Sequence, residues 1–410
     1  MHIVFIQHAS SAGGSVISLG LLLRGLERLP VRRTVVLLYP NEELIRFYGN
    51  LCEEVVCLPG ARFPHTTGFS FRFLNPLHWL LGLQWLIQFL KSTGPLRELL
   101  NRLNPDVVHL NSVTLIPYLP FLQNRPSVVH VRELVVHGIL GLRRAILAAL
   151  SRRANTSFIY ICRDYRTHFA FPALCAATIL NPVVGLGQNT KPLPPALIER
   201  LAAWRRESPE TPIALFLGGL SYIKGAEFFA RAWHKAGEGR CRLIIGGQTE
   251  ASNHGLLFRA ASYLASLLPF SESSSRARRL FRRYRSNPDI YFAGFVDNPD
   301  ELMRRTDVTL VPFTEPHFAR PVLEAGSVGC RTIVSNICGL TCLLEDGIAT
   351  YGFEVGNIDS FSDAVTRFIE DWSQTRAQLP PTIPEGLSPE SHAQTVYGFL
   401  QQVVAKFRAA

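Results

Sequence analysis

Short apolar, often β-branched runs recur along this chain, each followed by a stretch with helical spacing. The first half carries HIVFIQ, RTVVLLYP, EEVVCLP, DVVHLNS, SVVHVRE, SFIYICR and ATILNPV, and the second PIALFLGG, CRLIIGG, DIYFAGF, DVTLVPF and RTIVSN. Continuous apolar runs of this length suit parallel strands buried on both faces. Their alternation with helices makes βαβ units, so the fold class is α/β with two Rossmann-like, doubly wound parallel sheets. The Pro-, Gly- and Asn-rich stretch NPVVGLGQNTKPLPP, residues 181 to 195, separates the two strand series. The domains are therefore expected at 1–183 and 184–387. A terminal helix over 388–410, with Ser388 or Ser391 near its N-cap, is expected to pack back on the first domain. Ligands of open α/β sheets bind beyond the carboxyl ends of the strands, so the default site is a cleft that the two domains face.

Composition narrows the partners. Hydrophobic residues are 47% of the 410 and charged residues 18%, which makes burial easy and excludes extended disorder. The net charge of +10 suits an anionic partner. No zinc-finger spacing and no aromatic-rich basic strand motif is present, which argues against nucleic acid. Eight cysteines are scattered with no CxxC pair, and no histidine cluster has metal-ligand spacing. They are expected as buried thiols in a reducing cytosol. The opening MHIVFIQHASSAGG reads as a first strand and not as a signal peptide.

Two stretches can carry chemistry. In FLGGLSYIKGAEFFARAW, residues 216 to 233, a buried strand ends in Gly218-Gly219 and a helix begins near Lys224-Gly225. A strand, a glycine turn and a helix N-terminus favour an anion, and Lys224 adds a full charge. A solvated lysine before a helix has the same signature. Neither GxGxxG nor GxxxxGK[ST] occurs, so the dinucleotide fingerprint and the P-loop do not apply. In DVTLVPFTEPHFARPVLEAGSVGCRTIVSN, a strand leads to a loop with Glu315, His317 and Phe318. Pro321 then suits a first helical turn, with Glu324 about one turn in. A carboxylate there can accept from the paired hydroxyls of a ribose. Two acids favoured by the helix dipole would look alike.

In combination the motifs are more specific. The order strand–GG–K–helix, then strand–E–aromatic–P–x–x–E–A–G–x–x–G, resembles the GT-B fold retaining glycosyltransferases of the family 4 type, also called glycosyl transferases group 1. The resemblance extends over PDVVHLNS (105–112), ILNPV (179–183), NPDELMRRTDVTLVPF (298–313) and GNIDSFSDAV (356–365). It implies that Lys224 neutralises the donor diphosphate, that Glu324 holds the ribose and that Glu315 contacts the sugar. Gly13 and Gly14 match the glycine loop near the donor phosphates and acceptor. Gly218, Gly219, Phe318, Ala319 and Arg320 fall within the donor-binding stretches. Three positions depart from the family pattern. Gly219 stands where an arginine is usual. Glu315 and Glu324 are nine apart instead of eight. Arg132 before Glu133 replaces the interdomain histidine, with His130 two residues earlier on the same strand face.

The resemblance implies transfer of a sugar from a nucleotide-sugar to a hydroxyl of a glycan or lipid-linked glycan, with retention. The candidate catalytic residues are Lys224, Glu315, Arg132 and His130. No cofactor is implied, and with no Asp-x-Asp pair in the sequence no metal is expected. A sugar-nucleotide epimerase and a non-catalytic nucleotide-sugar-binding scaffold are the alternatives. Two segments bear on membranes. Residues 73–90 carry no charge and just meet a spanning length, but polar residues interrupt them, so a buried or interfacial helix is expected. Residues 276–285 hold six arginines interleaved with Leu280, Phe281 and Tyr284. They read as a solvated basic helix or as a contact with anionic lipid headgroups. A cytoplasmic protein, peripheral on the inner face of the cell membrane, is the corresponding expectation.

Overall fold

The computed structural model describes residues 1–9, 13–60, 76–122, 125–135, 142–153, 156–169, 171–183, 191–247, 273–381 and 386–409. The linker expected at 181–195 and the start of the 73–90 segment lie partly outside them. The chain forms two compact units, Met1–Val183 with Glu385–Ala410, and Val184–Pro384.

Unit 1 runs β1 (His2–Gln7), α1 (Gly14–Leu26), β2 (Arg32–Leu37), α2 (Glu42–Gly49), β3 (Glu54–Cys57), α3 (Pro76–Leu103) and β4 (Val107–Leu110). A 3-10 segment (Val113–Phe121), β5 (Ser127–Val131), α4 (Leu142–Arg153), β6 (Ser157–Tyr160), α5 (Arg163–His168) and β7 (Ala176–Thr178) follow. The sheet is parallel throughout, in the order β3-β2-β1-β4-β5-β6-β7. Buried β1, β4 and β5 explain the continuous apolar runs, since both faces are covered.

Unit 2 runs α6 (Pro195–Glu207), β8 (Ile213–Phe216), α7 (Ala226–Ala236), β9 (Arg242–Gly246), α8 (Ser273–Arg282), β10 (Ile290–Gly294) and α9 (Pro299–Arg305). Then come β11 (Val308–Val311), α10 (Arg320–Ser327), β12 (Arg331–Asn336), α11 (Thr341–Glu345), β13 (Tyr351–Glu354) and α12 (Ile358–Gln374). Its parallel sheet is ordered β10-β9-β8-β11-β12-β13. Both sheets thus reverse direction beside their first strand, between β1 and β4 and between β8 and β11. That reversal leaves a crevice where the loops on either side part.

The last helix, α13 (Pro389–Ala409), belongs to unit 1. Ser388 Oγ accepts from the Ser391 N–H at 3.2 Å and caps it. Its residues Ala393, Val396, Leu400 and Val403 join the core formed by β1, α1 and β2. The fit against α1 is backbone-close: a Cβ on Gly25 would stand 2.1 Å from the Pro389 carbonyl oxygen. The chain rejoins unit 1 at 385, ahead of the expected 388. Leu387 accepts from the Val183 N–H at 2.9 Å, tying the outgoing and returning strands of chain together.

Helix α8 and the turn after it divide the 276–285 run into an inner and an outer face. Ala277, Phe281 and Tyr284 are buried in the core of unit 2, and the Tyr284 hydroxyl donates to the Ala230 carbonyl at 2.7 Å. The aromatics among the arginines therefore face the protein interior and are not available to lipid. Arg279, Arg282, Arg283 and Arg285 remain exposed, while Arg276 pairs with Glu227 at 3.2 Å. Of the eight cysteines, five are buried, Cys52 and Cys338 are half-buried and Cys57 is exposed. Among the described residues no helix is long and apolar enough to cross a membrane.

Candidate functional site

In unit 2 the two chemistry-bearing stretches leave neighbouring strands. β8 and β11 pair directly, Val308 opposite Ala214 through Leu310 opposite Phe216. The loops that follow them are stitched together. The Thr314 N–H donates to the Ile223 carbonyl at 3.2 Å, and Thr314 Oγ1 to the Tyr222 carbonyl at 3.0 Å. Gly225 sits at φ +72°, the left-handed region, and caps α7. A Cβ there would stand 1.7 Å from the Pro312 carbonyl oxygen, so only glycine lets the lysine turn approach the end of β11. Sequence proximity could not reveal this join, since the partners are some ninety residues apart.

The join places Lys224 at the mouth of the crevice. Its ammonium makes no hydrogen bond or ion pair among the described residues and is half-buried. Burial pulls its pKa below the ordinary lysine value, and the Glu324 carboxylate opposes that shift. A desolvated ammonium without a partner is costly unless an anion completes it. Gly218 and Gly219 lie on the same turn, where the Gly219 N–H is already used by the Gly246 carbonyl at 3.1 Å.

Glu324 stands on α10, which opens with Ala319 at its N-cap and Pro321 in its first turn. One of its oxygens, Oε1, accepts from Arg320 Nε at 3.2 Å and Nη2 at 3.1 Å, across one helical turn. Oε2 has no hydrogen bond among the described residues, and can take a ligand hydroxyl. Glu315 lies on the loop before α10, and its Oε1 accepts from the Tyr222 hydroxyl at 3.0 Å. It is therefore held on the lysine turn, with its second oxygen open. The Phe318 and Ala319 side chains are buried in unit 2, so their contact with a ligand would run through main chain. The sequence did not single out Tyr222 or Thr314, which set this geometry, nor Asp300. Asp300, at the start of α9, is 9% exposed with one carboxylate oxygen unpartnered. Burial, and then the Glu324 charge, push its carboxyl up to about 7, with Arg320 and Arg304 pulling the other way.

Unit 1 holds the other candidates. Gly13 and Gly14 open α1 beyond β1, exposed, with Gly13 extended at the N-cap. Asn111, just past β4, donates from Nδ2 to the Ser15 carbonyl at 3.3 Å, which links the two loops of the crevice. Its Oδ1 accepts from Arg132 Nε at 2.7 Å, and Asn181 Oδ1 accepts from Arg132 Nη1 at 2.6 Å. Arg132 Nη2 also donates to His130 Nδ1 at 3.2 Å. Arg132 is thus a hub that fastens the ends of β4, β5 and β7, and only 9% of it is exposed. Glu133 accepts a short hydrogen bond from the Ser112 hydroxyl.

His130 does not reach a surface. It is fully buried and its ring meets His109 edge-on at 5.3 Å. A guanidinium only donates, so His130 Nδ1 must be the unprotonated nitrogen. Burial and the Arg132 charge hold both imidazoles neutral, His109 at about 3 and His130 well below the ordinary value. His392 from α13 joins them at about 3, for the same two reasons in the same order. Its sequence neighbours gave no sign that it belonged here. The expected catalytic role of His130 fails on access, and the structure makes it part of the support under Arg132. Among the described residues no group of His, Cys, Asp and Glu is arranged to hold a metal ion.

Residues 200–382 match the family described as "Glycosyl transferases group 1". The uncharacterized glycosyltransferase MJ1607 of Methanocaldococcus jannaschii is 28% identical over 161 residues, 38% of this chain and 36% of that protein. An Escherichia coli UDP-Gal:alpha-D-GlcNAc-diphosphoundecaprenol alpha-1,3-galactosyltransferase is 32% identical over 82 residues, 20% of this chain and 21% of that one. These alignments span about a third or less of the relatives' own length. Among solved structures, Anabaena Alr3699/HepE in complex with UDP is similar over 100% of this chain and 98% of its own. The TM-score is 0.64 at 17% identity, a likeness of fold.

Proposed function

From a GT-B chain whose second unit is a glycosyl transferases group 1 domain, we propose a glycosyltransferase that moves a sugar from a nucleotide-sugar donor to a hydroxyl acceptor. The observation that carries this reading is the desolvated, unpaired Lys224 ammonium beside the N-terminus of α7 and across from Glu324. In the proposed complex Lys224 faces the donor diphosphate, Glu324 Oε2 accepts from the ribose, and Glu315 accepts from the transferred sugar. UDP is the favoured nucleotide, because HepE is described with UDP and with UDP-glucose. A lipid-linked glycan acceptor is favoured by the galactosyltransferase and by WclY of Escherichia coli, named for O-antigen biosynthesis.

The chemistry breaks the bond from the sugar's anomeric carbon to the diphosphate oxygen and forms one to the acceptor oxygen. The diphosphate leaves with the electron pair and takes the acceptor's proton. Lys224 and the α7 amides meet the charge as it grows, which is the electrostatic form of catalysis. The reaction retains anomeric configuration and needs no metal. Peripheral attachment at the inner face of the cell membrane belongs to the same reading. The exposed arginines of α8 supply an electrostatic contact with headgroups.

The test is nucleotide release by the purified chain with a panel of UDP- and GDP-sugars, with and without lipid-linked glycan acceptors. Acceptor-dependent release supports transfer. A changed sugar without acceptor would point to an epimerase, and donor binding without release to a scaffold; either would refute the reading.

A further inference from the structure

Helix α3 is longer than the sheet it crosses. Its 28 residues span roughly 42 Å at 1.5 Å per residue, against about 20 Å for the six-residue β1. It ends at the amino edge of the sheet, where the Leu103 carbonyl meets His2 Nδ1 at 3.2 Å. The first half therefore overhangs the carboxyl edge. The helix is fastened to the body at Phe89 and Ser92. The Phe89 ring packs on Tyr118 and Phe121 at 4.8 and 5.7 Å, and Ser92 Oγ meets the Tyr118 hydroxyl at 2.8 Å.

On this overhang Leu80, Leu83, Leu86, Ile87 and Leu90 are 45–66% exposed. At 100° per residue they fall in an arc of about 120°, one continuous stripe. Large aliphatic side chains standing singly in water need no explanation, but five in one stripe do. No charge occurs from Pro76 to Leu90. Exposed Lys91 and Arg97 then follow within two turns of Leu90. Counting charges on α3 gives Lys91, Arg97 and Arg102 against Glu98, a net of +2. Helix α4, which packs on the same 3-10 segment, carries no acid and adds the exposed Arg152, while Arg143 is half-buried near Glu133 and Arg144 lies over the Phe169 ring. An apolar stripe adjoined by cations matches a bilayer surface, with acyl chains beneath and anionic phosphates above. A protein partner would have to supply acid at the same edge, and a second copy of this chain would bring cation against cation.

We infer that the first half of α3 is a membrane-insertion element that lays its leucine stripe into the acyl boundary of an anionic bilayer, with Lys91 and Arg97 at the phosphates. The contact is hydrophobic, unlike that of the α8 arginines, whose neighbouring aromatics are buried. It does not rest on the proposed transfer reaction, since binding to a vesicle requires no donor or acceptor.

The two contacts separate by salt. Charge-only attachment is screened at high ionic strength, whereas inserted side chains are not. The experiment is flotation of the full chain with phosphatidylcholine vesicles containing phosphatidylglycerol, at low and at molar salt. The native chain is expected to float at both. Leu83→Glu/Leu86→Glu/Leu90→Glu, all at exposed positions, is expected to lose at least tenfold in bound fraction at high salt with unchanged thermal melting. Should that variant melt early, Leu83→Ser/Leu90→Ser replaces it with the same expected loss. Arg279→Glu/Arg282→Glu is expected to float with vesicles at high salt as the native chain does. Release of the native chain by salt would overturn the inference, as would high-salt flotation of the folded leucine variant. A native dimer that the leucine variant breaks to monomers would assign the stripe to a second copy and overturn it equally.

Discussion

Lowering the pH should loosen unit 1 before unit 2, because three buried imidazoles surround Arg132. His109 and His392 are held at about 3 and His130 well below its ordinary value. In the unfolded chain each titrates near 6.5. Between these values the unfolded state binds more protons than the folded one, so stability rises with pH. The contribution is complete above about 6.5 and is lost as pH falls from there toward 3. At pH 5, which is about 1.5 below the unfolded value, His109 and His392 each cost about 2 kcal/mol. Together these two cost about 4 kcal/mol, with His130 acting in the same direction, a large share of the roughly 5–15 kcal/mol that holds a domain. Hydrogen exchange resolved by peptide separates the units. Protection of β4 and β5, corrected for intrinsic exchange, should fall by about 4 kcal/mol or more between pH 7.5 and 5, and that of β8 should not follow. His392→Leu should reduce the fall by about 2 kcal/mol. A fall below about 1 kcal/mol, or an unchanged slope in His392→Leu, would refute the assignment of neutral buried imidazoles.

Further outcomes follow from unit 2. Lys224→Ala should lower kcat by about 2.7–4 kcal/mol with melting unchanged, measured by nucleotide release; full activity in the folded variant would remove the diphosphate role. Glu324→Gln should weaken nucleotide affinity in calorimetry, while Glu315→Gln should slow transfer with affinity retained; unchanged rates in Glu315→Gln would free that carboxylate from the sugar. Turnover should survive EDTA, and loss restored by manganese or magnesium would count against a metal-independent reaction. Asp300→Asn should stabilise unit 2 at pH 8, by at most about 4 kcal/mol for a carboxyl raised from 3.8 to about 7. The folded state holds that proton longer, so the gain must vanish toward pH 4, and a pH-independent gain would mean packing and not charge.

The architecture was readable because its strands are buried on both faces and so spell continuous apolar runs. Where that condition lapses, reading fails. Tyr351–Glu354 forms the edge strand β13, and it alternates buried Tyr351 and Phe353 with Gly352 and Glu354. Such a pattern matches neither a buried run nor a helix. The 3-10 segment Val113–Phe121 is apolar but holds Pro117 and Pro120, which forbid α-helix or central strand. In α8 the arginines were legible as a basic run, while the inward face of Phe281 and Tyr284 depends on packing against α7.

At the candidate site, Lys224, Glu315 and Glu324 could be singled out as candidates because local order of strand, turn and helix marks them. Their fasteners were not. Tyr222 meets Glu315 and Thr314 meets the lysine turn only through the pairing of β8 with β11. Arg132 presents the sharper case. Its partners Asn111, His130, Asn181 and His392 come from four places in the chain, and only the fold shows that they occupy one interior.

The return of α13 to unit 1 sets an order on biosynthesis. The ribosome makes residues 1–183, then the whole of unit 2, before the helix that closes the first core emerges. Until then the faces of α1 and β1 that receive Val396, Leu400 and Val403 stand open, on a nascent chain already carrying a foldable second unit. Chaperone capture is best timed to that interval. An excised unit 1 must likewise be built as two segments joined across the Val183–Leu387 hydrogen bond, not cut from the chain as a single fragment.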